Sequence, residues 1–243
     1  ALAAGVDLVF ISHTNNLAAQ AVGAIKQAVL EGRIPMKEMD ASVAKILTYK
    51  DKVACSLQQA AVIPEKLDQV GCEAHARLAA RIRDESITVY HTPETGLPDL
   101  GGNPLFLGCR AYRATNASSM VDPAFSFPGY MTGVFGGEAI VTAINPSIED
   151  ISALTRQASG HSCIVVGTYN GHLNPGQLDL VHALADTGIP VIAVALRNPY
   201  DLAALPSKVC SIAAFEYSAN NFKALSKVLS KQRQATGKLS VGL

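Results

Sequence analysis

Pro190-Val-Ile-Ala-Val-Ala-Leu196 is the longest continuous apolar run in the chain, and its reading decides the fold. It is too short for a helix of its own and rich in β-branched residues, so it reads as a strand buried on both faces. Runs of the same kind recur at Leu105–Cys109, Ala139–Ile144, Cys163–Gly167 and Val209–Ala214. Helical windows lie between them. Ser147–Ala158 opens on Ser147 with Glu149 and Asp150 behind it, which suits a helix N-terminus by capping and by the helix dipole. Pro175–Thr187 stops at Gly188, and Asn220–Leu229 follows the last run. Strands alternating with helices predict a mostly parallel sheet covered on both faces, a doubly wound α/β sandwich.

Working upstream, Val70–Asp84 reads as a helix leading into the β-branched stretch Ser86-Ile-Thr-Val-Tyr90. Residues 51–69 are polar and irregular, with a Gln pair and Pro64, and are expected to be a connector between two bodies. Before them, the apolar run Val6–Ser12, with Asp7 inside it, predicts a strand. Leu17–Glu31 predicts a helix stopped by Gly32. Met39, Val43, Ile46 and Leu47 then recur at helical spacing. The expected organisation is therefore a strand-helix segment over 1–50, a connector over 51–69 and the sandwich over 70–243. The chain opens at Ala1, without methionine or leader, directly in a structured pattern, as a piece of a longer protein would.

Composition narrows the function classes. Of 243 residues, 49% are hydrophobic and only 16% charged, enough for a core and too little charge for disorder. The 20 basic and 20 acidic residues cancel, so nothing marks the chain for nucleic acid or anionic lipid. No apolar run approaches the roughly 20 residues that span a bilayer. The five cysteines are odd in number, scattered and free of Cys-x-x-Cys spacing, a usage that favours a reducing, cytoplasmic compartment, with secretion the other option.

Most chemical signatures are missing. No Gly-x-Gly-x-x-Gly follows a strand, Gly237-Lys238 lacks the rest of a phosphate-cradling loop, and no Gly-x-Ser-x-Gly elbow occurs. The six histidines do not pair at ligand spacing, so neither a metal nor a cofactor is expected. Two stretches stay open between readings. Gly167-Thr-Tyr-Asn-Gly-His-Leu-Asn-Pro-Gly-Gln177 follows a strand at its carboxyl end, where open α/β sheets place ligands, yet it is also the composition of an ordinary turn. Asp122–Gly137 carries Phe125, Phe127, Tyr130 and Phe135, which suit either stacking on a sugar or packing on the surface. Asn116-Ala-Ser118 is a formal glycosylation acceptor, meaningful only on export.

Several separated motifs, in order, resemble the family 3 glycoside hydrolases. Ala3-Ala-Gly-Val-Asp-Leu-Val-Phe-Ile-Ser12, Ala18–Gly32 and Met39–Lys50 resemble the close of that family's N-terminal (β/α)8 barrel. Ala79-Ala-Arg-Ile-Arg-Asp-Glu-Ser-Ile-Thr-Val89 resembles the entry to its second domain. Arg197-Asn-Pro-Tyr-Asp201 and Ala235–Leu243 resemble that domain's strand-end motif and its finish, with Ser240 where proline is usual.

The resemblance implies exo-acting hydrolysis of terminal β-linked N-acetylhexosamine by a retaining mechanism with two catalytic groups. In the β-N-acetylhexosaminidase subgroup, the nucleophilic aspartate and the His–Asp proton donor lie on earlier barrel elements, before Ala1. In the glucosidase subgroup the donor is a glutamate near the loop after the third sandwich strand. Here that loop is Thr168–Asn174 and holds no carboxylate, which favours the hexosaminidase subgroup and leaves this segment no catalytic residue of its own. Ser12 and His13, at the end of what resembles a late barrel strand, become the substrate-binding candidates. The implied partners are the barrel domain of the same enzyme and an amino-sugar glycan. A free-standing carbohydrate- or metabolite-binding module is the alternative. Glu138 and Glu216, near strand edges, are read as solvated surface carboxylates.

Overall fold

A computed structural model of the chain describes residues 1–11, 15–59, 64–112 and 122–243, which form two compact units, Ala1–Val70 and Gly71–Leu243.

In the first unit, α1 (Asn15–Leu30) and α2 (Met36–Gln59) are joined through Gly32, whose φ of 73° suits the left-handed turn. Val6–Ile11 forms no strand, because no other strand of this unit offers a ladder partner among the described residues. The helix predicted around Met39–Leu47 runs on to Gln59, through part of the stretch expected to be a connector. Residues 48–59 contain neither Gly nor Pro, so nothing local stops the helix there. Asp7, in the middle of the apolar run, accepts hydrogen bonds from Lys45 Nζ at 2.6 Å and Ser42 Oγ at 2.8 Å. The Lys45 bond, and after it the Ser42 bond, lowers its pKa. Among the described residues of this unit only Ala28 and Ile34 are buried apolar side chains, while Phe10 is 87% exposed.

The second unit has a real core. Its helices and strands are α3 (Glu73–Ser86), β1 (Thr88–His91), β2 (Leu105–Cys109), α4 (Phe127–Phe135), β3 (Glu138–Thr142), α5 (Ile148–Gln157), β4 (Ile164–Thr168), α6 (Pro175–Ala185), β5 (Val191–Ala195), β6 (Cys210–Ala213) and α7 (Ala219–Leu229). The six-stranded sheet has the order β1-β6-β5-β4-β2-β3, parallel throughout except for antiparallel β1 at one edge. The doubly wound α/β sandwich is borne out. Successive side chains of a strand point to opposite faces, and the apolar runs therefore feed two cores. Phe106, Val165, Ile192 and Val194 meet Phe127, Met131, Phe222 and Leu225 of α4 and α7. Leu105, Leu107, Ile164, Val166, Val191 and Ala193 meet Leu154, Leu180 and Leu184 of α5 and α6. Each fully buried Val, Leu, Ile, Phe or Met among them contributes about 1.5–3 kcal/mol.

Ser147 caps α5 as its sequence suggested, in a reciprocal capping box with Asp150. The helix α4 was hidden in the sequence by Pro128, Gly129 and Gly133. Ser126 caps it, Pro128 sits in its first turn, and burial of Phe127 and Met131 outweighs the poor helix propensity of its glycines. Phe125, Tyr130 and Phe127 pack around Phe222 with ring centroids 5.3–5.5 Å apart, so this aromatic stretch is packing rather than a stacking platform. Among the described residues no helix is long and apolar enough to cross a membrane.

Candidate functional site

The connections from β2 and β4 leave toward opposite faces of the sheet, α4 on one and α6 on the other, and the two strands are neighbours. Such a reversal opens a crevice at the carboxyl ends of the two strands, where open α/β sheets hold ligands. Here the crevice is bridged by side chains. Tyr112, from the segment after β2, accepts a hydrogen bond on its Oη from Asn174 Nδ2 at 2.9 Å, and its ring lies edge-on to Tyr169 at 5.1 Å. Arg197, after β5, donates to Tyr169 Oη at 3.1 Å and has no carboxylate partner among the described residues.

The centre of this edge is Asp201, in the short helical turn Pro199–Ala204 after β5, with 0% of its surface exposed. Its Oδ2 accepts from Thr168 Oγ1 at 2.7 Å and the Gly171 backbone N–H at 2.9 Å. Its Oδ1 accepts from the His172 backbone N–H at 2.8 Å and from His172 Nδ1 at 2.9 Å. All four are acceptor roles, which is what an ionised carboxylate offers. Among the described residues no Lys or Arg pairs with it, and His172 is its only potential counter-charge.

Because Asp201 accepts, Nδ1 of His172 carries the proton, and the ring's other nitrogen, Nε2, has no partner among the described residues. That side chain is 30% exposed. The imidazole is thus held in one orientation and one tautomer by a buried carboxylate, an arrangement suited to hydrogen bonding or proton transfer at Nε2. The turn beneath is tied by side-chain hydrogen bonds. Asn170 adopts a left-handed φ of 54°, and its Oδ1 accepts from Asn198 Nδ2 at 2.9 Å. Gln177, 3% exposed, donates from Nε2 to Ile144 O and Tyr169 O and accepts from the Tyr169 N–H.

Of the residues singled out in the sequence, Ser12 and His13 lie outside the described residues, as does Asn116. Glu138 is an exposed residue of β3, 3.4 Å from His161 Nε2, and Glu216 pairs with Arg83 at 3.0 Å on the surface. His182 and His91 meet the backbone carbonyls of Ala204 and Ser207. The loop Thr168–Asn174 holds no carboxylate itself, but the next loop brings Asp201 into it. The sequence signal for it is Arg197-Asn-Pro-Tyr-Asp201, whose acidic residue closes the motif after β5 and pairs with His172. Cys72, Cys109, Cys163 and Cys210 are free thiols, the last three buried. Among the described residues no group of three His, Cys, Asp or Glu side chains is placed to hold a metal ion.

Solved structures resemble the chain over nearly all its length. A family 3 β-N-acetylglucosaminidase from Paenibacillus sp. str. FPU-7 matches with a TM-score of 0.73 and 26% identity, over 97% of this chain and 45% of that protein. A fungal multi-domain family 3 β-N-acetylglucosaminidase matches at 0.70 and 23% identity, over 98% of this chain and 27% of that one. A β-glucosidase from Listeria innocua shares the fold at 0.58 and 14% identity, over 86% and 32%. The chain thus spans less than half the length of these proteins. No protein-family model and no curated protein matches the sequence.

Proposed function

We propose that this chain, which carries the C-terminal α/β sandwich of the family 3 glycoside hydrolases, is the C-terminal portion of an exo-acting β-N-acetylglucosaminidase. It acts on terminal β-linked N-acetylhexosamine together with a (β/α)8 barrel that supplies the nucleophile and the proton donor. Residues 1–50 are the close of that barrel, 51–69 lead out of it, and 70–243 form the sandwich. The segment is accessory and inactive by itself, and Ser12 and His13 line the sugar pocket.

The observation that carries this reading is the match to the Paenibacillus enzyme over 97% of this chain but 45% of that protein. The first unit supports it independently. Val6, Leu8, Val9 and Phe10 are 43%, 51%, 44% and 87% exposed, an apolar run that its own unit covers only in part. Missing barrel strands would cover such a run. The sandwich supports the choice of subgroup, since the loop after β4 presents a histidine and no glutamate.

The test is hydrolysis of an aryl N-acetyl-β-glucosaminide and an aryl β-glucoside by the protein extended on its N-terminal side through the preceding barrel. Turnover of the amino sugar alone supports the proposal. Preference for the plain glucoside overturns the choice of subgroup, and no turnover of either overturns the glycosidase reading.

A further inference from the structure

His172 has more order than a surface turn requires. The turn after β4 is already secured by Asp201, which takes the backbone N–H groups of Gly171 and His172 and the hydroxyl of Thr168. Those three bonds are what a carboxylate gives a turn of this kind. The fourth, to His172 Nδ1 at 2.9 Å, adds nothing to the backbone and fixes only the ring.

What it leaves without a partner among the described residues is Nε2, beside a second exposed group. The ring of Tyr200 stands edge-on to the imidazole, with centroids 5.6 Å apart and an interplanar angle of 74°, and Tyr200 is 50% exposed. An open aromatic ring next to a pre-oriented nitrogen joins an apolar surface to a directional hydrogen-bonding atom. A pyranose has the matching pair of features, a face of C–H groups and a rim of hydroxyls. Fixing both rings before binding lowers the ordering cost that weakens loop-borne sites.

We infer that the carboxyl edge of β4 and β5 is a carbohydrate subsite, in which His172 Nε2 hydrogen-bonds a sugar hydroxyl and Tyr200 carries the sugar's apolar face. The carbohydrate class rests on the proposed function. The site itself rests on Asp201, His172 and Tyr200.

The experiment is an NMR titration of the 243-residue chain with N-acetylglucosamine, following the amides of Gly171 and Tyr200. It is repeated on His172→Asn and Tyr200→Ala. Asparagine keeps a donor near the position of Nδ1, and so keeps the bond to Asp201, but has nothing in place of Nε2. The inference expects saturable shifts in the wild type, affinity at least tenfold weaker in both variants, and a Tm for His172→Asn within a few degrees of wild type. Wild-type affinity in His172→Asn would leave the ring a purely structural role and overturn the inference, as would shifts that never saturate. Hydrolysis is read separately, so a protein that turns over amino sugars but shows no binding here sinks this subsite and leaves the glycosidase reading standing.

Discussion

Asp201 Oδ1 receives two hydrogen bonds from one residue, the backbone N–H of His172 at 2.8 Å and its Nδ1–H at 2.9 Å. The other oxygen is filled by Thr168 and Gly171. Turn and imidazole are therefore positioned by a single buried carboxylate.

Replacing Asp201 by Asn turns one of those oxygens into an NH2 group that faces two donors. Each buried group left unsatisfied costs about 1–3 kcal/mol, so Asp201→Asn is expected to lose about 2–5 kcal/mol. Urea denaturation measures it. Wild-type stability would mean that the four bonds are not made in solution.

Phe222 is the hub of the aromatic cluster, with ring centroids of Phe125, Phe127, Tyr130 and Tyr217 at 5.0–5.5 Å. Phe222→Ala should cost about 3–5 kcal/mol through lost burial and the cavity left behind. A loss below about 1 kcal/mol would contradict the packing of α7 against α4 through Phe222.

Gly167 marks a close approach inside the sheet. A Cβ there would lie 2.6 Å from both Leu196 Cδ1 and Phe127 Cδ1, and both of those side chains are fully buried. Gly167→Ala is expected to destabilise by about 1–3 kcal/mol through overpacking, read as a lower thermal midpoint. A raised midpoint would mean that the pocket around Gly167 is looser than described.

Burial pushes the thiols up, Cys109 to about 11, Cys163 to about 12 and Cys210 to about 11, from an ordinary 9.0. Burial likewise pushes Tyr217 from 10.0 to about 12. A raised pKa on a group that is neutral when protonated means that the folded state holds the proton more tightly. This contribution is complete below pH 9 and is lost as pH rises from 9 through 11–12. Urea midpoints should be flat in this respect between pH 7 and 8.5 and fall above 9, and native Cys109, Cys163 and Cys210 should resist alkylation at pH 8. Rapid labelling of all three would contradict their burial.

The sheet was legible because buried parallel strands announce themselves as short apolar runs. Leu105–Cys109 is a strand over the very residues expected, and the others shifted by a residue or two at their ends. Val6–Ser12 carries the same signal, but periodicity does not say whether a partner strand exists, and Val6–Ile11 has none among the described residues. The α4 helix was illegible because its glycines and proline mimic a loop until the burial of Phe127 and Met131 is known. The site was half legible. The loop with His172 stood out by its place after a strand, whereas Asp201 lies 29 residues further along the chain, and only the parallel pairing of β4 with β5 brings them together.

The central claim, that this chain completes a glycosidase whose chemistry lies on a preceding barrel, is met most directly by one comparison. Hydrolysis of an aryl N-acetyl-β-glucosaminide is measured for the 243-residue chain alone and for the protein extended through the barrel, at equal concentration. The account predicts turnover by the extended protein and none by the chain alone. Turnover by the chain alone would contradict it and would place the catalytic groups within these residues.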